Sequence, residues 1–506
     1  MLVLEKLKEY AAGPERTALV NRGSRLSYRE LDARSEAFAA WLLARFEGDF
    51  APVVLRGDKE PDFLCCLLGA LKSGRAYVPI DSTLPPSRAA QILADVCPCA
   101  VVDFTGGLAG EGARFLTAGE ADAILSAPPA SPVPRESWVQ GGETAYILFT
   151  SGSTGRPKGV SITADNLAAF LEGVLPWYPQ EGGVILHQVS YSFDVSGCAV
   201  YAGLSRGMTL FSVDHALAAG YRELFAQLGD SGLTFWVSTP SFAELCTRSR
   251  AFDARLLPNL RRFLFCGEVL THTLCGMLAD RFPAASVVNT YGPTEATVLV
   301  TAAEIPPALR QDPRGIPIGA PIRGATLRLE GEDGREVAGE GQAGQLVILG
   351  PSVGPGYLGR PDLTERAFFT DPATGLRGYR TGDRCCRVGE AYYYLGRMDN
   401  QLKLDGYRIE LEDVEANLQK LPNVLRAAVV PAWKGEKVAY LAAFLLLREP
   451  DGLGPLQRTI ALKKQAARYL PAYMIPRKLI AVDAFPLNVN GKVDKKALAR
   501  RLEETP

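Results

Sequence analysis

The stretch FTSGSTGRPKG, Phe149 to Gly159, sets three glycines, four small hydroxyl residues and Lys158 directly after the apolar run Tyr146 to Phe149. Glycines 152, 155 and 159 reach backbone conformations closed to other residues and can turn N–H groups toward an anion. Thr150, Ser151, Ser153 and Thr154 add hydroxyl donors, and Lys158 adds the countercharge. The composition is that of a phosphate-binding loop. Its spacing departs from GxxxxGK[ST], which removes the P-loop triphosphatases. With a strand before it and a helix expected from near Thr163, the loop falls at a strand's carboxyl end, where open α/β sheets bind their ligands.

Outward from the loop the same alternation recurs. Ser27-Tyr28-Arg29-Glu30 is a capping box for a helix whose apolar face carries Leu31, Phe38, Trp41 and Leu42. Phe263 to Phe265 and Val287-Val288 read as strands, the first running into Cys266-Gly267-Glu268 and the second into NTYGPTE, Asn289 to Glu295. The fold class is α/β. With 506 residues the chain exceeds the roughly 250 to 300 that one core holds. After Gly331 Gly-rich turns and short strands take over. After Arg397 the texture is α+β, with a helix bearing Leu411, Val414 and Leu418 and a hairpin near Gly435. The expected domains are 1–397 and 398–506.

The 55 basic and 56 acidic residues leave a net charge of −1, which offers no field for capturing nucleic acid or an anionic membrane. The apolar run Val438 to Leu447 is half a membrane span, and MLVLEKLKEY is too short for a signal core, so a cytoplasmic location without membrane insertion is expected. Ten cysteines, none in a paired CxxC arrangement, read as reduced and mostly buried thiols.

Taken singly, the other motifs are ordinary. NTYGPTE offers an aromatic for stacking, a Gly-Pro turn, and a carboxylate at Glu295 suited to magnesium, yet an isolated YGP is a turn. YRTGD, Tyr379 to Asp383, sets a carboxylate after an expected turn. NGKVD, Asn490 to Asp494, is an Asn-Gly hairpin whose Lys492 would be solvated.

Taken in order, FTSGSTGRPKG, SFDVS (Ser192 to Ser196), NTYGPTE, YRTGD, GRMDNQLKLDGYRIE, LPAYMIP and NVNGKVD resemble the ANL superfamily of adenylate-forming enzymes, specifically its amino-acid adenylation domains. LKSGRAYVPID (Leu71 to Asp81) and GQLVILGPSVGPGYLG (Gly344 to Gly359) are weaker matches in the right order. STPSFAELC, LFCGEVL and NTYGPTEATV are more similar to D-alanine:D-alanyl carrier protein ligases than to modules of large peptide synthetases. The resemblance implies a large multi-subdomain N-terminal adenylate-forming domain and a small mobile α+β C-terminal domain.

It also implies chemistry. ATP and Mg2+ would serve to activate a small amino acid as its adenylate, followed by transfer to the phosphopantetheine thiol of a separate carrier protein. Carried over residue by residue, Lys492 and Glu295 are catalytic, with Glu295 the magnesium ligand. Thr150 to Gly155, Lys158, Asn289, Thr290, Tyr291, Gly292, Pro293, Thr294, Asp383, Tyr394 and Arg397 bind the nucleotide. Asp194 takes the substrate ammonium, and Val195, Cys198, Val237, Leu264, Cys266, Thr290, Val298 and Leu299 line a small uncharged pocket. Asp399 is the hinge that exchanges Lys492 for the loop around Gly406. D-alanine is the expected substrate. The alternative is a stand-alone nonribosomal peptide synthetase adenylation enzyme for glycine, L-alanine or L-serine. An acyl-CoA synthetase would lack the acid at 194, and a silent binding module would not need Lys492, Asp383 and Glu295. Arg75 stands where the family has glycine.

Overall fold

The computed structural model describes the chain except residues 109, 111, 130, 153, 154, 338, 400, 436, 450, 451, 487–492 and 504–506. Met1–Ser82, Asp95–Leu148 and Gly159–Met398 form one compact unit, and Thr83–Ala94, Phe149–Lys158 and Asp399–Pro506 form another.

The first unit is built on two large sheets. In the nine-stranded sheet six neighbouring strands run parallel: Thr17–Asn21, Thr209–Ser212, Val184–His187, Phe235–Ser238, Arg262–Phe265 and Ser286–Tyr291. The strands from 235, 262 and 286 are almost wholly buried, as in a parallel sheet covered on both faces. Their register aligns Ser238, Phe265 and Asn289, so the loops after these residues leave side by side at one carboxyl edge. The seven-stranded sheet has Tyr77–Asp81 at its centre, with Val53–Gly57 parallel to it and to Ala100–Asp103, and includes Thr144–Thr150, the strand feeding the glycine-rich loop. A five-stranded antiparallel sheet follows, with Ala343–Leu349, Arg377–Val388 and Ala391–Arg397 as adjacent strands.

The expected local signals shape these elements. Ser27 caps the helix Tyr28–Arg45 reciprocally with Glu30, and Thr163 caps Ala164–Val174 in the same way with Asn166. YRTGD requires a correction: it is not a turn but the middle of the twelve-residue strand Arg377–Val388. Arg380 pairs with Val347 and Arg384 with Gln345, so Thr381, Gly382 and Asp383 together oppose Leu346. This bulge passes through Gly382 at φ 71, a conformation glycine adopts freely.

In the second unit Val424–Lys434 and Lys437–Leu447 form the hairpin turning at Gly435, and Lys478–Ala481 joins as the third strand. The apolar run from Val438 is therefore a sheet strand. Leu411, Val414 and Leu418 bury one face of the helix Leu411–Leu418. Among the described residues no helix is long and apolar enough to cross a membrane.

Helix Tyr28–Arg45 packs closely on Pro61–Lys72 because Gly69 has no side chain. A Cβ there would lie 2.7 Å from the Ser35 carbonyl oxygen and 2.9 Å from Phe38 Cβ. Gly69→Ala should therefore lower the unfolding free energy by about 1 to 3 kcal/mol, as overpacking does, in urea titration. An unchanged midpoint would show that the helices separate without strain.

Candidate functional site

Three side chains meet where the carboxyl edge of the nine-stranded sheet faces the bulged strand. Tyr291 ends its strand with a buried ring, and its hydroxyl donates to Asp383 Oδ2. Arg397, directly across the ladder from Asp383, donates from Nη1 to Asp383 Oδ1 at 3.0 Å and to the Thr381 carbonyl at 2.8 Å. Asp383 is only 6% exposed. A carboxylate has about four acceptor positions, so two bonds orient it and leave capacity for a diol. Burial, then the neighbouring carboxylate, pushes the Tyr291 phenol well above its ordinary range, so it stays a donor. Tyr394, half-buried on the same strand as Arg397, packs against the core.

The segment after Tyr291 is held from several sides. A Cβ on Gly292 would stand 2.4 Å from Leu299 Cα, so the chain doubles back with no room for a side chain. Asn289 donates to the Pro317 carbonyl at 2.8 Å, leaving its own Oδ1 buried without a partner among the described residues, and Thr290 donates to the Phe265 carbonyl at 2.8 Å. Pro293 and Thr294 lead into a short turn, Thr294–Ala296, in which Glu295 is 0% exposed. Glu295 Oε1 accepts from the Tyr357 hydroxyl at 2.8 Å. Thr297 and Val298 then adopt φ 61 and 71, an unfavourable conformation for β-branched side chains. The bond from Thr297 Oγ1 to the Ser352 carbonyl, 2.6 Å, helps impose it.

Asp194 sits in the turn leaving strand Val184–His187; its carbonyl accepts from Gly197 N at 2.8 Å. Val195, Cys198, Val237, Leu264, Cys266, Val298 and Leu299 all belong to one buried apolar cluster. Within it Cys266 Sγ lies 3.8 Å from the Val298 carbonyl. Burial raises the Cys198 thiol well above its usual range, with Cys266 adding to the effect, which keeps it neutral.

The glycine-rich loop lies in the second unit. Ser151 Oγ donates to the Arg408 carbonyl at 2.9 Å and accepts from Glu410 N at 3.1 Å, so its proton is committed to the backbone. Thr150 Oγ1 is a buried hydroxyl with no partner among the described residues. Gly155, at φ 76, passes so near Ala416 that a Cβ would stand 2.8 Å from its Cβ, and one on Gly152 would meet the Arg156 carbonyl at 2.3 Å. Lys158 opens the strand Lys158–Thr163. Burial raises the Glu410 carboxyl, an effect that Arg408 and Lys158 oppose. Asp399 is exposed and accepts from Gln401 N at 3.1 Å. Ser153, Thr154 and Lys492 lie outside the described residues.

A model of AMP-binding enzymes matches residues 7–358, and one of the AMP-binding enzyme C-terminal domain matches residues 413–492. The chain belongs to the AMP-binding enzyme family. It is 38% identical over 508 residues to a D-alanine–D-alanyl carrier protein ligase of Bacillus cereus (strain B4264), covering 98% of this chain and 99% of that one. A ligase of the same name from Bacillus anthracis is 38% identical over 500 residues, with the same coverage. Among solved structures, an NRPS protein containing adenylation and PCP domains superposes with a TM-score of 0.82 at 27% identity, over 99% of this chain and 84% of that one. The Vibrio cholerae adenylation domain AlmE, in complex with glycyl-adenosine-5'-phosphate, shares the fold with a TM-score of 0.81 at 21% identity, over 100% of this chain and 97% of that one.

Sequence reading of this AMP-binding enzyme passed over three contributors. Tyr357 lies in GPGYLG, a stretch matched only as a motif; Thr381 organises the bulge through its bond to the Leu346 carbonyl at 2.7 Å. Backbone groups of residues 408 and 410 engage Ser151, and no side-chain pattern announces them. Because Arg397 neutralises a buried carboxylate, Arg397→Ala should cost about 3 kcal/mol of unfolding free energy. A loss below about 1 kcal/mol in denaturant titration would mean water already compensates Asp383.

Proposed function

We propose that this AMP-binding enzyme uses ATP to activate D-alanine as an aminoacyl-adenylate and transfers it to the phosphopantetheine thiol of a carrier protein, in the cytoplasm. The observation that carries the reading is the near full-length likeness to carrier protein ligases, joined to the small uncharged lining beside Asp194.

In the first half-reaction a substrate carboxylate oxygen attacks the α-phosphorus and pyrophosphate leaves. Asp383, oriented by Tyr291 and Arg397, accepts from the ribose hydroxyls, and Tyr291 and Tyr394 border the base. Residues 150–158 hold the pyrophosphate side, where the Thr150 hydroxyl, buried and without a partner among the described residues, is a ready donor. Lys492 bridges the substrate carboxylate and the α-phosphate, favouring charge shared in the transition state. A buried carboxylate with one oxygen aligned by a phenol fits the oxygen-ligand chemistry of magnesium, so Glu295 is its proposed ligand. Magnesium there would neutralise phosphate charge. In the second half-reaction the thiol sulfur attacks the acyl carbon and AMP leaves; rotation about Asp399 withdraws Lys492 and brings in the Gly406 loop.

Asp194 pairs with the ammonium. With Lys492 fixing the carboxylate, the direction of the methyl group toward Cys266 decides handedness, since size alone separates alanine from glycine by only about 1 to 3 kcal/mol. Pyrophosphate exchange should be fastest with D-alanine among D-alanine, L-alanine, glycine and L-serine. Preference for a bulky or charged amino acid would overturn the substrate assignment. Lys492→Ala should abolish exchange yet leave ATP binding and transfer from a pre-formed adenylate intact, and undiminished exchange would remove Lys492 from the mechanism.

A further inference from the structure

Lys59 is 1% exposed, and its partners are of an unusual kind for a buried cation. Nζ lies 2.9 Å from His187 Nε2, donates to the Val189 carbonyl at 2.5 Å, and stands 4.5 Å from the centroid of the Tyr191 ring. Lys72, equally buried, is instead bonded to the Asp32 carboxylate at 2.6 Å. Burying an ammonium against neutral acceptors carries a large desolvation cost, so its placement calls for an account.

The account lies in what Lys59 touches. Val189 begins the segment that carries Asp194. Further along it, Ser190 Oγ donates to Asp81 Oδ2 at 2.5 Å and Ser192 Oγ donates to the Pro79 carbonyl at 3.2 Å. Lys59 stands just beyond Val53–Gly57, Asp81 ends Tyr77–Asp81 and Pro79 lies in the middle of that strand, both strands belonging to the seven-stranded sheet. The anchored segment leaves Val184–His187 of the nine-stranded sheet. From there Phe193 N bonds the Ser190 carbonyl at 3.0 Å, which ties the anchored end of the segment to the residue before Asp194, and Gly197 N bonds the Asp194 carbonyl. His187 completes the device, with Nδ1 3.0 Å from Ser212 Oγ on the adjacent strand.

We propose that Lys59, seated on His187, is a positioning residue for amino-acid recognition: it moors the Val189 to Asp194 segment of one sheet to the edge of the other and so fixes where Asp194 presents its carboxylate. The inference rests on the reading of Asp194 as the ammonium partner.

The groups facing Lys59 are Asp58, Glu60, Asp81, His187, Tyr191 and His215. Burial brings the Lys59 ammonium down to about 7, against the pull of the three carboxylates. Burial, and then Lys59 itself, keeps His187 neutral, which suits Nε2 to accept. His215 is held above its ordinary value first by its hydrogen bond to Asp81. Below pH about 7 the ammonium serves both acceptors by charge-assisted bonds. As pH rises through that value the charge is lost and the mooring weakens.

The test is pyrophosphate exchange with Lys59→Met. The KM for the amino acid should rise about tenfold below neutrality while the KM for ATP stays within about twofold, the loss expected of a charged hydrogen bond. In the wild type the amino-acid KM should rise with pH through about 7, and in the variant it should be flat. Equal shifts in both KM values, no shift, or a pH step that survives in the variant and so belongs to His215, would overturn the proposal. Should Lys59→Met fail to fold, Ser190→Ala decides, since it cuts the neighbouring tether and leaves Lys59 in place: the same split supports the mooring and an unchanged amino-acid KM overturns it. Asp194→Asn separates the claims. If it raises the amino-acid KM while Lys59→Met does not, only the mooring fails; if it leaves that KM unchanged, the reading of Asp194 fails and the inference falls with it.

Discussion

The bond between a buried side chain and the backbone of a departing loop is the interaction on which this architecture rests. A loop leaving the carboxyl edge of a parallel sheet has lost its ladder partners, and its polar groups must be satisfied by other means. Lys59 holds Val189 and Thr297 holds Ser352 in loops, Thr290 holds Phe265 at the end of its strand, and Thr381 holds Leu346 where the bulge interrupts the ladder, each through a carbonyl oxygen.

The same constraint explains where charge is buried. Asp383, Glu295 and Lys59 are each nearly inaccessible, and each is oriented by a hydroxyl, a guanidinium or an imidazole. Such groups are costly inside a protein, and they sit just beyond a strand, in a turn or in a strand bulge, where a fixed direction matters more than stability. The left-handed Thr297 and Val298 are strain of the same kind, tolerated because neighbouring bonds over-determine the backbone.

Much of this was legible in the residues. The capping box at Ser27, the helix opening near Thr163, the apolar strands through Phe265 and Val288, and the hairpin at Gly435 are local signals, decided within a few residues of chain. The motif order named the family because adenylate chemistry needs all of those groups at once. YRTGD misled because Thr-Gly-Asp has the composition of a turn, and only the register against Ala343–Leu349 makes it a bulge.

By itself, then, the sequence determined the alternating α/β pattern, the places of the glycine-rich loop and its companions, and the family. Only the tertiary structure decided that Tyr357 aligns Glu295, that Ser151 is bound to the backbone at 408 and 410, and that Lys59 reaches Val189. Those contacts join residues from 62 to 259 positions apart or strands of different sheets, and no local propensity encodes a partner that far away in the chain.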